Sequence, residues 1–156
     1  MPRLKVFAAA LLAALALGGC SFMTSATIQP SLEQRPMVHI EASGGHCLEG
    51  ACKTDTTIAR DGTLRIEAAG IEPVVDHVDA ALLLGLAAAV DATDFATIMS
   101  VPFTGECPTA FDGQELTYTF QPNGREAVTF SSCEVAIPPN HPLFQALDAI
   151  ILASAQ

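Results

Sequence analysis

Two glycine turns constrain this chain more than any other feature, because each fixes the register of the strands beside it. In the stretch TTIARDGTLRIE, a two-residue Asp61-Gly62 turn would pair Ile58 with Arg65 and put Ile58 and Leu64 on opposite faces. A three-residue loop, Arg60-Asp61-Gly62, pairs Ile58 with Leu64 and Thr56 with Ile66, with Gly62 in the left-handed position of a bulge. The second register keeps one face apolar and is the one expected. In LTYTFQPNGREAVTF, a loop of Pro122-Asn123-Gly124 sets Tyr118 opposite Val128 and Leu116 opposite Phe130. Proline, asparagine and glycine in that order suit a type I turn with a bulge. Each hairpin then has an apolar face and a threonine-rich face, the pattern of an antiparallel sheet covered on one side.

A helical pattern follows each hairpin. In VVDHVDAALLLGLAAAVDATDF, Asp76 is the expected N-cap, and Val78, Leu82, Leu86 and Ala89 recur at helical spacing. Ala80 to Val90 is an uncharged run of 11 residues, too short to span a bilayer and suited to a buried helix. In NHPLFQALDAIILASAQ, Asn140 is the expected cap, Pro142 falls in the first turn, and Leu143, Ala146, Leu147 and Ile150 form a stripe. The order hairpin, helix, hairpin, helix predicts an α+β domain over residues 37–156. Its antiparallel sheet would come from two ββα halves.

The N-terminus reads differently. Arg3 and Lys5 precede an apolar run of 12 residues, Val6 to Leu17, which is too short to cross a bilayer and has the form of a secretory signal. Residues 1–19 are therefore expected to be removed. Arg3 and Lys5 would leave with them and no acid would, so the formal charge of the 156-residue chain moves from −10 to −12. That balance excludes a nucleic-acid footprint and argues against electrostatic docking on anionic lipid. Residues 20–36, with two prolines and no sustained period, read as a tether spanning about 20 Å.

The segment Leu17-Gly18-Gly19-Cys20 resembles the bacterial lipobox, in which a small-residue pair precedes a cysteine that takes a diacylglyceryl group before cleavage. The resemblance implies that Cys20 is the lipidated first residue of a mature lipoprotein, held in the membrane by its acyl chains. Ser21 at the following position implies an outer-membrane location facing the periplasm in a Gram-negative host.

Four cysteines remain, Cys47, Cys52, Cys107 and Cys133, and an exported domain preserves disulfides. Three pairings are possible. The expected one is Cys47–Cys52 with Cys107–Cys133, since the Phe111-Asp112-Gly113 turn folds Cys107 back towards Cys133; pairing across the two halves is the alternative. On the chain-entropy model these bridges contribute roughly 2 and roughly 3.5 kcal/mol. A thiol oxidoreductase would show C-x-x-C at a helix N-terminus, whereas four residues separate Cys47 from Cys52. A metal site using His46 and His39 beside Cys47 lacks matching histidines near Cys107 or Cys133.

Catalytic motifs are absent from the sequence: there is no G-x-S-x-G, no H-E-x-x-H and no phosphate-binding glycine loop. The histidines His39, His46, His77 and His141 are scattered. The acid pairs Asp91/Asp94 and Asp112/Glu115 fit turns and helix ends better than calcium or proton sharing. No catalytic, cofactor or metal residue is assigned. The segment Pro102-Phe103-Thr104-Gly105-Glu106-Cys107-Pro108-Thr109 is the most unusual, and as a rigid loop it would present Phe103 and Glu106 to a partner.

The run Gly45 to Cys52, followed by Asp61-Gly62, is similar to small exported bacterial domains of unknown function with a short cysteine loop before a D-G hairpin. Cys107 to Glu115 and the Pro142-Leu143-Phe144 helix start resemble uncharacterised lipoproteins of the same kind. These resemblances imply an address and a fold but no activity. The expected function is a non-enzymatic envelope domain that binds a protein or peptide. A small hydrolase or metal-dependent enzyme using His46 with nearby acids, and a purely structural lipoprotein, are the alternatives.

Overall fold

The computed structural model describes residues 36–47 and 50–154, apart from the side chains of residues 46, 47, 50 and 51. The expected signal (1–19), Cys20, Ser21 and the tether up to residue 35 lie outside the described residues. The strands within them are β1 (Pro36–Cys47), β2 (Gly50–Ala59), β3 (Thr63–Ala68), β4 (Ile71–His77), β5 (Gln114–Phe120) and β6 (Val128–Ser131). The helices are α1 (Ala80–Ala92), α2 (Phe95–Met99) and α3 (Pro142–Ser154). All six strands form one sheet in the order β4-β3-β2-β1-β5-β6, with every neighbouring pair antiparallel. No helix among the described residues is long and apolar enough to cross a membrane.

The fold is α+β, but not as two ββα halves. Four consecutive strands meander before α1, and after α2 the chain returns to pair β5 with the free side of β1. β1 thereby becomes the central strand joining the two hairpins. Its period, Val38-Ile40-Ala42, dissolves into Gly44-Gly45, where the pairing with β2 slips. β4 was hidden for another reason: all seven of its residues are exposed, so it carries no in-out alternation. It is an edge strand interrupted by Pro73, the residue type that edges tolerate and central strands do not.

The first hairpin has the expected register, with Ile58 opposite Leu64, Thr56 opposite Ile66, and Gly62 at φ +90°. The second differs by two residues: Tyr118 pairs with Phe130 and Phe120 with Val128. A shift of two preserves the faces, so the apolar side stays inward. The expected three-residue loop is replaced by the longer connection 121–127 because that connection is drawn onto the core. Pro122 is fully buried, and the Arg125 guanidinium donates to the carbonyls of Val90, Asp91 and Thr93 (3.3, 2.7 and 3.3 Å). These are orphan carbonyls at the α1 C-terminus, where a cation also complements the helix dipole.

Both helix starts move by one element of chemistry. The cap of α1 is Asp79, whose carboxylate accepts from the N–H groups of Ala81 (2.8 Å) and Leu82 (3.3 Å), and Asp76 belongs to β4. At α3 it is the ring of His141, and not Asn140, that meets an orphan donor, Leu143 N–H at 3.2 Å. The stripe Leu143, Leu147 and Ile150 is buried as expected, joined by Phe144, with Ala146 half-buried.

The core lies on the helix-bearing face of the sheet. Val38, Ile58, Leu64, Tyr118, Phe120 and Phe130 come from the strands, Leu86 and Val90 from α1, Phe95 and Ile98 from α2, and Leu143, Phe144, Leu147 and Ile150 from α3. The opposite face carries threonines and a charged cluster: His39 lies 3.1 Å from Asp55, and Lys53 lies 2.9 Å from Glu41 and 3.7 Å from Asp55. The Glu41 hydrogen bond and both neighbouring carboxylates outweigh desolvation and raise the pKa of Lys53.

Candidate functional site

Among the described residues, the segment between α2 and β5 has little regular structure but several fixed anchor points. Pro102 and Val135 form an isolated bridge, Phe103 N–H donates to Glu134 O, and Ala136 N–H donates to Val101 O, both at 2.9 Å. Cys107 and Cys133 are disulfide-bonded, with Cα atoms 5.2 Å apart. Residues Pro108–Phe111 then make a 3₁₀ turn that packs on the irregular stretch of β1. The approach requires Gly44: at φ +93° its place would put a Cβ 2.8 Å from the Thr109 methyl and 3.0 Å from Gly113 O.

Cys107 pairs with Cys133 as expected, although the β5–β6 register differs by two residues from the expected one. Two segments tied side by side at 101–103 and 134–136 bring the cysteines together independently of the β5–β6 register. This bridge excludes cross-half pairing for both residues. Cys52 is also disulfide-bonded. The expected partner, Cys47, has a side chain outside the described ones, as does His46 of the alternative enzymatic reading.

Phe103 is only partly presented to solvent. It is half-buried, with its ring folded over residue 105 so closely that a Cβ there would lie 2.7 Å from it. Glu106 is exposed as expected. The aromatic that does project is Phe111, 70% exposed at the end of the 3₁₀ turn. A lone phenylalanine directly before Asp-Gly was the available signal, since a turn tip seldom offers it a core.

Beside this segment lies an apolar groove of about 360 Å³, lined by Thr97, Ile98, Val101, Ala136, Ile137, Pro138 and His141. The helix α2 supplies one wall. Asp94 caps that helix, accepting from Ala96 N–H (3.1 Å) and the Thr97 hydroxyl (2.8 Å). The Thr97 hydroxyl and the backbone donors hold the Asp94 carboxyl below its ordinary range. The 136–138 wall is fixed by the Val101–Ala136 hydrogen bond already described. His141 stands at the rim with Nδ1 accepting from Leu143, which leaves Nε2 to carry the proton of the neutral ring. Of the lining residues Val101 is 51% exposed, and Met99 at the end of α2 is 41% exposed. The sequence had hinted at the groove only through the apolar run Val135-Ala136-Ile137-Pro138, which has neither helical nor strand period.

Asp91, Asp94 and Asp112 serve turns and helix ends as expected, whereas Glu115 lies within β5. Burial pushes the Asp91 carboxyl up, but the Asn123 N–H at 2.7 Å and the Arg60 guanidinium at 3.0 Å outweigh it and hold the pKa low. Asp112 occupies the left-handed end of the 3₁₀ turn at φ +60°, and Glu115 accepts from the Ser131 hydroxyl. His39 is engaged with Asp55 on the far face of the sheet and takes no part in the groove. Compared with known proteins, the chain matches no family model and no curated relative.

Proposed function

We propose that this chain is a bacterial envelope lipoprotein whose domain binds a protein or peptide through the groove between α2 and residues 136–141. The observation that carries the reading is the groove itself: a concave apolar surface walled by anchored backbone, with the side chain of Val101 half exposed in its lining. Such a surface recognises an apolar side chain of a partner, and the rim imidazole N–H offers one directional hydrogen bond beside it. Burying one leucine-sized anchor contributes about 1.5–3 kcal/mol, or roughly 10- to 150-fold in affinity. The acidic surface disfavours nucleic acid as partner and leaves attachment to the membrane to the acyl chains on Cys20. In a Gram-negative host Ser21 favours the periplasmic face of the outer membrane.

Selection of displayed peptides on the purified domain should enrich sequences with a single bulky apolar anchor. Val101→Asp, at an exposed position that leaves the core intact, should weaken those peptides at least about tenfold. Enrichment indifferent to apolar content, or binding unchanged by Val101→Asp, overturns the groove as the binding site. The anchor is tested separately. Labelled palmitate should enter the wild-type chain and not Cys20→Ser, which should also keep its signal segment and run as the larger, unprocessed form; equal incorporation of label into the two would reject lipidation at Cys20.

A further inference from the structure

We propose that Cys107, Cys133 and Glu115 form a zinc site when their disulfide is reduced. One ligand atom from each residue lies within 4.8 Å of the others, and the three come from different parts of the fold: the lead-in to the 3₁₀ turn, the start of β5 and the turn after β6. Two thiolates and a carboxylate are a zinc ligand set, with a fourth position left for water or a partner's side chain. The surroundings are arranged as they are around bound metals. The Ser131 hydroxyl donates to Glu115 and accepts from Cys133 N–H at 2.9 Å, so one hydroxyl orients both a carboxylate and a cysteine. The Thr109 hydroxyl lies 3.1 Å from Cys107 Sγ; the bridged sulfur carries no proton, so the hydroxyl donates.

Charge supplies a second, independent reason. Among the described residues no lysine, arginine or histidine pairs with Glu115. Opening the disulfide would leave two thiols beside this carboxylate, which accepts from the Ser131 hydroxyl and faces no cationic side chain, and a divalent cation would supply the missing positive charge. The Pro102–Val135 bridge and the hydrogen bonds of Phe103 and Ala136 would still fasten the two cysteine-bearing segments to each other once the S–S bond is open. The reaction balances with a dithiol reductant. It gives two electrons and two protons to the Cys107–Cys133 bond and becomes a disulfide itself, and Zn²⁺ then displaces the two thiol protons.

The test uses the intact exported protein carrying Cys47→Ser and Cys52→Ser, so that only this pair responds. Titrated with zinc against a chromophoric chelator, the phosphine-reduced protein should bind one ion per chain and the oxidised protein none. Glu115→Gln and Ser131→Ala should each weaken binding by about tenfold or more, and Cys133→Ser should abolish it. Cobalt in place of zinc should give a thiolate charge-transfer band in the reduced protein alone. Reduced protein that keeps its sheet circular dichroism yet binds no zinc, or a Glu115→Gln protein that binds as tightly as its parent, overturns the site. If reduction melts the sheet, zinc should restore it, and failure to do so overturns the site equally.

Discussion

Phe120→Ala should destabilise the domain by about 3–5 kcal/mol, the largest effect expected of any single substitution here. Phe120 has no solvent exposure, lies on β5 between Val38 of β1 and Val128 of β6, and holds the sheet to two helices. Its ring centroid is 5.3 Å from that of Phe95 on α2, 6.2 Å from Phe144 on α3, 6.0 Å from Tyr118 and 5.9 Å from Phe130. Truncation would remove the hub of this cluster and leave a cavity its neighbours close only in part. Since a domain of this size is stable by about 5–15 kcal/mol, the variant should unfold at a much lower urea midpoint with an unchanged slope. Phe111→Ala is the control: the same change at a 70% exposed position should move stability by no more than about 0.5 kcal/mol. Equal losses in the two variants would show that the core does not centre on Phe120.

Replacing Cys107 and Cys133 together by serine should cost about 3.5 kcal/mol, from the entropy returned to an unfolded chain no longer closed across a separation of 26 residues. The loop so closed contains the whole of β5 and β6, whose strands contribute three of the five rings of the aromatic cluster, Tyr118, Phe120 and Phe130. Removing it therefore loosens the unfolded reference state while the native contacts persist. Urea unfolding under oxidising conditions should show the loss, and adding reductant should then bring wild type down towards the double serine variant. If the two proteins have the same midpoint without reductant, the bridge does not stabilise the fold through the unfolded chain. Retention of the native circular dichroism by the double variant is expected, because the Phe103–Glu134 and Ala136–Val101 hydrogen bonds fasten the same segments.

The candidate site was legible only in outline. Composition singled out residues 102–109 as a rigid loop, and the structure does pin it at both ends. Which side chains it offers depended on neighbours far away in sequence. Phe103 turns inward because position 105 has no side chain to exclude its ring, and Phe111 is left outside because the 3₁₀ turn is pressed onto Gly44. The apolar groove needs Ile98 and Ile137 side by side, and nothing local to either residue announces that. In the second hairpin, local turn chemistry favoured a three-residue loop, and burial of Pro122 with the reach of Arg125 to α1 prevailed over it.

What the sequence determined by itself was local and periodic: two antiparallel hairpins with one apolar face each, two helices with an apolar stripe, and the register across Asp61-Gly62, although α1, expected to be buried, buries only Leu86 and Val90 and leaves Leu84 71% exposed. These follow from the two-residue alternation of strands, the 3.6-residue turn of helices and the backbone freedom of one glycine, all of which act between residues close in the chain. The tertiary structure alone decided that β1 lies between the hairpins, that β4 exists as an exposed edge, and that the chain returns across the sheet to pair β5 with β1. It also decided that Cys107, Cys133 and Glu115 meet. Each of these depends on pairing free backbone edges or filling space between distant segments, and such long-range closure leaves no period in the sequence to read.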